Sequence, residues 1–287
     1  MGPVSFSLSF PSLTAVGSAT DAALYEVYAA LQQIPNLQAT IGRSLRQAFD
    51  EVIDGARTGR YCIEQLEKTE KTYIGTKVEI VLRNELELER GQILDNLICG
   101  HEVDTKFSLS GNWMIPREAV GELCILVRAD DNTGLFSVGL LRMSPAMLTN
   151  GQNQDGKKSV SAAGKQCISW IIYRAPMPRN FLLDLPDSKR TQIMSPRSGM
   201  ERIRELFRNV TGQIIPRSAI EQVAQQKDPL RRARQAKAYL LPEGFQVLCA
   251  TYEEDRAEFH RSGFTRFRDD DWLSLDVARL TRLPPRF

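Results

Sequence analysis

The feature that most restricts the fold is the run Glu102 to Leu109, in which polar and apolar side chains alternate. A period of two is the pattern of a strand with one buried face. The short runs Glu122 to Ala129 and Gly134 to Met143 read as further strands. Ahead of them, Ala23, Leu24, Val27, Tyr28 and Leu31 recur at helical spacing within Asp21 to Ile34, with Asp21 as N-cap, and Ile41 to Ile53 forms a second helix ending at Asp54-Gly55. The expected fold class for this half is α/β, a mixed sheet flanked by helices.

Past Gly134 to Met143 the chain turns polar and glycine-bearing between Asn150 and Lys158. Ser159 to Tyr173 then reads as a helix that Ala175-Pro176-Met177-Pro178 interrupts, so a domain boundary is placed there. Beyond it, Met200 to Val210 carries Ile203, Leu206 and Phe207 at helical spacing and stops near Gly212. A second helix begins at Pro216 and presents Ala219, Ile220, Val223 and Ala224. A third begins at Asp228-Pro229, an N-cap followed by proline at the first helical position, and extends from Leu230 to Leu240. Gly244 to Thr251 reads as a strand. Helix, turn, basic helix and strand is the order of a winged helix-turn-helix, an order that a simple helical hairpin followed by a strand shares.

Composition narrows the chemistry. A chain of 287 residues with 42% hydrophobic content favours two domains. Its apolar runs, such as Ile80 to Leu82 and Leu123 to Val127, are too short to cross a bilayer as helices. Met1 to Ala19 has no basic segment ahead of its apolar stretch, and Phe6 stands where a myristoylation pattern has Ser or Thr. The expectation is a cytoplasmic protein with no membrane partner. Cys62, Cys99, Cys124, Cys167 and Cys249 are odd in number and never form C-x-x-C, so neither a disulfide framework nor a zinc ribbon is suggested. With His101 and His260 the only histidines, a His-rich metal cage and a Ser-His-Asp relay have few candidates, which leaves carboxylates. From Arg179 onward there are 20 Lys and Arg against 15 Asp and Glu, and before it 17 against 20. An acidic half suits cations and a basic half suits a polyanion.

In His101-Glu102-Val103-Asp104-Thr105-Lys106-Phe107-Ser108, a strand puts Asp104, Lys106 and Ser108 on one face and Val103, Thr105 and Phe107 on the other. A carboxylate and an ammonium on one face suit metal-assisted phosphodiester hydrolysis, in which a hard cation such as Mg²⁺ polarises the phosphate and a positive group meets the developing charge. Asp95, nine residues before Asp104 across Gly100, is a second acid that an adjacent segment brings close. Glu79 is a third, although Thr76-Lys77-Val78-Glu79 also fits a capping box.

The order Thr69-Glu70-Lys71-Thr72, Gly75-Thr76-x-Val78-Glu79, Asp95 and Val103-Asp104-Thr105-Lys106-Phe107-Ser108 resembles the NaeI family of type II restriction endonucleases, within the PD-(D/E)xK nuclease superfamily. Gln226-Lys227-Asp228-Pro229-Leu230-Arg231-Arg232-Ala233-Arg234 and Pro242-Glu243-Gly244 carry the resemblance into the C-terminal half. It departs from the superfamily pattern at Leu94, where a proline precedes the acid in the usual motif. The resemblance implies a restriction-endonuclease-like domain over residues 1–174, a linker over 175–198 and a mostly α winged-helix DNA-binding domain over 199–287. Glu79, Asp95 and Asp104 become the metal-binding acids, with Mg²⁺ as cofactor, and Lys106 the catalytic lysine. Also implied are a bacterial restriction-modification enzyme acting in phage defence, a homodimer, cleavage of double-stranded DNA at a GC-rich palindrome, and stimulation by a second DNA site.

Arg57, Arg60, Lys68 and Lys71 are expected to contact phosphates flanking the site, and Arg231, Arg232, Arg234 and Lys237 to enter a groove, arginine being suited to bidentate contact with guanine. Solvated charge is the plain alternative for both groups. Tyr61, Tyr73 and Ser108 are read as structural, His101 as a hydrogen-bonding neighbour, and Trp113 and Met114 as core, while Trp170 and Trp272 give no reason to invoke function. Two competing readings stand beside the restriction enzyme: a repair or modification-dependent nicking endonuclease, and a winged-helix regulator with an inert nuclease half.

Overall fold

The computed structural model describes residues 21–277, so the reading of Met1 to Ala19 lies outside the described residues. The chain separates into two compact units, one built from residues 21–45 with 74–177 and the other from 46–73 with 178–277. The N-terminal helices are α1 (Ala22–Gln33), α2 (Leu37–Ile53), α3 (Gly55–Thr58) and α4 (Lys68–Glu85), and the division falls within α2 and α4. Among the described residues, no helix is long and apolar enough to cross a membrane.

The first unit is a mixed six-stranded sheet. Its strands are β1 (Glu89–Arg90), β2 (Asn96–Ile98), β3 (His101–Ser108), β5 (Leu123–Asp130), β6 (Leu135–Arg142) and β8 (Ser169–Pro176), in the order β1-β2-β3-β5-β6-β8. A small pair, β4 (Met114–Ile115) with β7 (Lys158–Ser159), and the short helix α5 (Ala162–Gln166) complete it. Only β3 and β5 pair in parallel, with Asp104 opposite Cys124 and Lys106 opposite Leu126. Thr105, Ile125, Val138 and Ile171 meet Leu31, Leu37, Ile41 and Leu82 from the helices on one face. On the other face, Cys124, Leu126 and Leu141 pack with Trp113, Ile115, Val160 and Ile168. Trp113 is thus core, its indole N–H donating to the Val127 carbonyl at 2.9 Å.

The helix expected over Ser159 to Tyr173 is instead a bridge into α5 and then edge strand β8. Ser169-Trp170-Ile171-Ile172-Tyr173 is rich in β-branched and aromatic side chains. Gly139 on β6 leaves room for this edge strand, because a Cβ there would sit 2.2 Å from Ile168 Cγ2. Lacking one, β6 lets Ile168 and Trp170 lie flat against it. Pro176 is tolerated because β8 is an edge.

The second unit contains α6 (Asp187–Met194), α7 (Gly199–Asn209), β9 (Ile214–Ile215), α8 (Arg217–Ala224), α9 (Pro229–Leu240), β10 (Phe245–Cys249), α10 (Glu253–Arg261) and β11 (Trp272–Asp276). Its three strands are antiparallel in the order β10-β11-β9. Ile203, Leu206, Phe207, Ile220, Val223, Ala233, Ala236 and Trp272 share one core. Arg202 locks α7 to the end of α8, its guanidinium donating to the carbonyls of Val223, Ala224, Pro196 and Arg197. The segment expected as a linker carries α6, and its Leu182, Leu185 and Ile193 belong to this core. Proline punctuation obscured an apolar set that tertiary packing collects.

Asp21 does two jobs. Its carboxylate accepts from the Leu24 amide at 3.0 Å, capping α1, and pairs with the Arg142 guanidinium of β6 at 2.5 and 2.9 Å. The Arg142 contact holds the Asp21 carboxyl below its ordinary value. A lowered folded pKa adds stability above the unfolded value, and that stability disappears as pH falls through the folded one. Asp21→Ala is therefore expected to cost about 1 kcal/mol or somewhat more at neutral pH, by chemical denaturation. The difference from wild type should shrink below pH 4, and a pH-independent difference would assign the effect to the neutral cap alone.

Candidate active site

The site is built on a two-residue hairpin. Cys99 and Gly100 have φ of 53° and 79°, the paired positive values that suit a tight turn between antiparallel strands. That turn pairs Ile98 with His101 and Asn96 with Val103. One step further along this register, Asp95 stands opposite Asp104. The Asn96 side-chain amide secures the pairing by donating to the Val103 carbonyl at 3.3 Å and the Thr105 hydroxyl at 2.9 Å.

Asp95 is held from two sides. Its Oδ2 accepts the Thr105 amide at 2.8 Å. The bend before it is organised by Glu102, whose carboxylate accepts the amides of Gln92, Ile93 and Leu94 at 2.8, 3.3 and 2.8 Å. Those backbone bonds, the one from Leu94 above all, keep Glu102 ionised below its usual range. Gly91 is required here, since a Cβ would fall 2.4 Å from Glu102 Oε2. Sequence reading missed Glu102, although alternation places it on the same strand face as Asp104 and Lys106.

Lys106 joins the acids. Its Nζ lies 2.7 Å from Asp104 Oδ1 and 3.6 Å from Asp95 Oδ2. Glu79 enters from the middle of α4, which removes the capping-box reading, and Arg83 one turn later reaches Glu79 at 3.7 Å and the Asp95 carbonyl at 3.3 Å. Asp104 is 3% exposed because β3 lies inside the sheet, with Cys124 Sγ 4.0 Å away.

Burial and crowding divide the protons. Desolvation first, then contact with Asp95, pushes Glu79 and Asp104 each up to about 7. Burial acts against ionisation of Asp95 too, yet its contacts with Asp104, the Thr105 amide and Lys106 hold it below the ordinary carboxylate range. Desolvation likewise opposes the charge on Lys106, but Asp104, Asp95 and Glu79 prevail and it stays an ammonium. Perturbed pairs of this kind cluster at functional sites.

Three carboxylates offer the hard oxygen donors a divalent cation prefers, so the donor set fits one in kind. With the Lys106 ammonium lying against Asp95 and Asp104, no group of three acidic, His or Cys side chains among the described residues is arranged as a finished ligand set. His101 pairs with Glu26 at 2.9 Å, as a neighbour and not within the cluster. Ser108 caps the turn after β3, its Oγ accepting the Gly111 and Asn112 amides at 3.0 Å each.

The basic candidates divide. Arg57, Arg60, Lys68 and Lys71 fall in the other compact unit from the acids. Arg60 makes bidentate contacts to Glu70 at 2.8 and 2.9 Å and a bond to the Ile53 carbonyl. Arg57 pairs with Asp54, and Lys71 donates to the Glu64 carbonyl, while Lys68 is exposed. On α9, capped as expected by Asp228 accepting from the Arg231 amide, Arg231, Arg232 and Arg234 are exposed. Lys237 instead pairs with Asp255 at 2.6 Å and lies over the Tyr252 and Trp272 rings.

Residues 27–282 match the family described as restriction endonuclease NaeI. Over 215 residues, 71% of this chain and 68% of the relative, the sequence is 39% identical to the type II restriction enzyme NaeI of Lentzea aerocolonigenes.

Because Glu79 has its folded pKa raised, the folded chain binds more protons than the unfolded chain between about pH 4.5 and 7, and this contribution to stability declines as pH rises through that window. Glu79→Gln is expected to raise stability above pH 7.5 by roughly 1–3 kcal/mol without divalent cations, and by much less near pH 4.5. Thermal melts at the two pH values in EDTA test this. A Gln variant no more stable than wild type at high pH would remove the crowding account.

Proposed function

The chain belongs to the NaeI family of type II restriction endonucleases, and from that membership we propose that its four-residue cluster cuts duplex DNA at a specific sequence, with Glu79, Asp95 and Asp104 holding a divalent cation and Lys106 serving the phosphate. The observation that carries the reading is the meeting of acids from α4, the bend before β2 and β3 itself around one lysine.

A cation such as Mg²⁺, when bound, supplies Lewis acidity at the phosphate and lowers the pKa of water. The remaining work falls to side chains. The Lys106 ammonium, fixed by Asp104, hydrogen bonds to the scissile phosphate and steadies the charge that builds as water attacks phosphorus. As the water oxygen bonds to phosphorus the bond to the 3′ oxygen breaks, the proton shed by the water passes to solvent and the departing oxygen takes one up, leaving a 5′-phosphate and a 3′-hydroxyl. The Thr105 amide and Glu102 keep Asp95 in place throughout. No side-chain nucleophile is required, consistent with Ser108 being occupied with a turn and Tyr61 packed against a core.

The second unit is proposed to be a winged-helix DNA-binding domain. Its order α7, β9, α8, α9, β10, β11 and its sheet order β10-β11-β9 support that reading, with α10 occupying the place between the last two strands. Residues Gln225 to Asp228 make the turn between α8 and α9, with positive φ at both ends. Arg231, Arg232 and Arg234 then offer a basic face for a groove. A homodimer reading a GC-rich palindrome, with a second DNA site bound by this domain, completes the proposal.

Plasmid digestion should give discrete fragments with Mg²⁺ and none with EDTA, and both Asp104→Ala and Lys106→Ala should lose cleavage while still binding DNA. Cleavage surviving either substitution rejects that residue's role. Persistent single-strand nicks point to a nicking enzyme, and binding without cleavage by wild type to an inert nuclease half. For α9, replacing Arg231, Arg232 and Arg234 by Ala should weaken duplex binding. The salt dependence should flatten by about one unit of log–log slope for each phosphate that is no longer neutralised, measured by fluorescence anisotropy.

A further inference from the structure

Away from the acidic cluster, the first unit carries a cleft lined by Gly111, Arg128, Lys165, Trp170, Tyr173 and Arg174. Two features of the backbone are built around its arginines. Arg174 lies in β8 yet has φ of 50°, a conformation uncommon for residues with a side chain. It is held there by the Ser137 hydroxyl, itself 6% exposed, which accepts the Arg174 amide at 2.9 Å. The β6–β8 register shifts at this point, and bulges of this kind re-aim side chains. As a result Tyr173 and Arg174, though consecutive, are both exposed. Arg128 crosses the backbone of Gly111, where a Cβ would sit 3.3 Å from its Cδ and where φ is 79°.

Charge in the cleft is one-sided. Against Arg128, Lys165 and Arg174 stands Asp130, whose Oδ1 is engaged by the amides of Asn132 and Thr133 in the β5–β6 turn. Lys165 is steadied by Asn112 at 2.8 Å. Position connects the cleft to the reaction. Lys106, Leu126, Gly139 and Trp170 fall on one cross-sheet row. Leu126 within that row is buried in the Trp113 core, while Arg128, opposite Ser108, stands on the strand next to that of Lys106 and two residues further along; three strand spacings put Trp170 about 14 Å from Lys106, comparable to the major-groove width of about 12 Å.

Resting on the nuclease reading above, we propose that this cleft reads base edges of the substrate duplex beside the scissile phosphate, with Arg128 and Arg174 as specificity-determining residues that contact guanine. Guanine presents two acceptors in the major groove, which the guanidinium fork matches. Tyr173 and Trp170, their ring centroids 5.3 Å apart, add aromatic surface beside that fork.

The test uses the full chain. Cut positions of wild type on plasmid DNA in Mg²⁺ define a short duplex, and a set of duplexes each carrying one substituted base pair is made beside it. kcat/KM is measured on all of them for wild type, Arg174→Gly and Arg128→Gln. Arg174→Gly suits the left-handed backbone and removes a side chain that is exposed, and Arg128 is exposed as well, so thermal melts should match wild type. Each variant should lose roughly ten- to hundredfold on the cognate duplex and little on a duplex substituted at the base pair it reads. Equal loss on every duplex would mean phosphate contact and overturn the assignment to base edges. Unchanged rates would overturn the cleft altogether. A wild-type chain that leaves plasmid intact would instead bring down the nuclease reading, and this proposal with it.

Discussion

The register of β2 against β3 carries the site. Cys99 and Gly100 close the hairpin with two positive φ values, and with that geometry Asn96 meets Val103 and Asp95 faces Asp104. A slip of one residue would send Asp104 and Lys106 through the sheet to the helix-covered face. The Asn96 amide and the Glu102 carboxylate guard against such a slip by tying down the backbone on either side of Asp95. What results is a costly cluster: two carboxyls raised to about 7 beside one held low and a lysine held charged. Perturbed carboxyls of this kind concentrate at functional sites.

Positive charge is distributed by the same logic. Arg60 and Lys237 each find an acid in the fold, Glu70 absorbing the one and Asp255 the other. Arg202 is absorbed still more completely, its guanidinium engaged by four backbone carbonyls. Arg231, Arg232 and Arg234 keep their faces outward on α9. Whether a basic residue is available to a polyanion depends on which acceptors the fold brings beside it.

Much of this was legible in one dimension, for local reasons. Asp21 as the cap of α1, the limits of α7, α8 and α9, and the alternation of β3 follow from capping chemistry and periodicity, which depend on neighbours in the chain. Asp104 and Lys106 were readable as a pair for the same reason. Ser159 to Tyr173 was misread as helix because the strand β8 is made by pairing with β6, where Gly139 leaves room for Ile168 and Trp170. Leu182, Leu185 and Ile193 were hidden in an apparent linker because only a core assembled from distant helices gives them partners.

The amino-acid order determined which chemistry was open to this protein: few histidines, unpaired cysteines, and an acid and a lysine two residues apart on a strand. Tertiary structure decided what that chemistry could become. It brought Glu79 and Asp95 to the pair, recruited Glu102 and Arg83 to hold them, and set Arg174 on a bulge. Alternation and capping are set by bonds along the chain, whereas burial, register and the sharing of protons depend on groups that only folding makes neighbours.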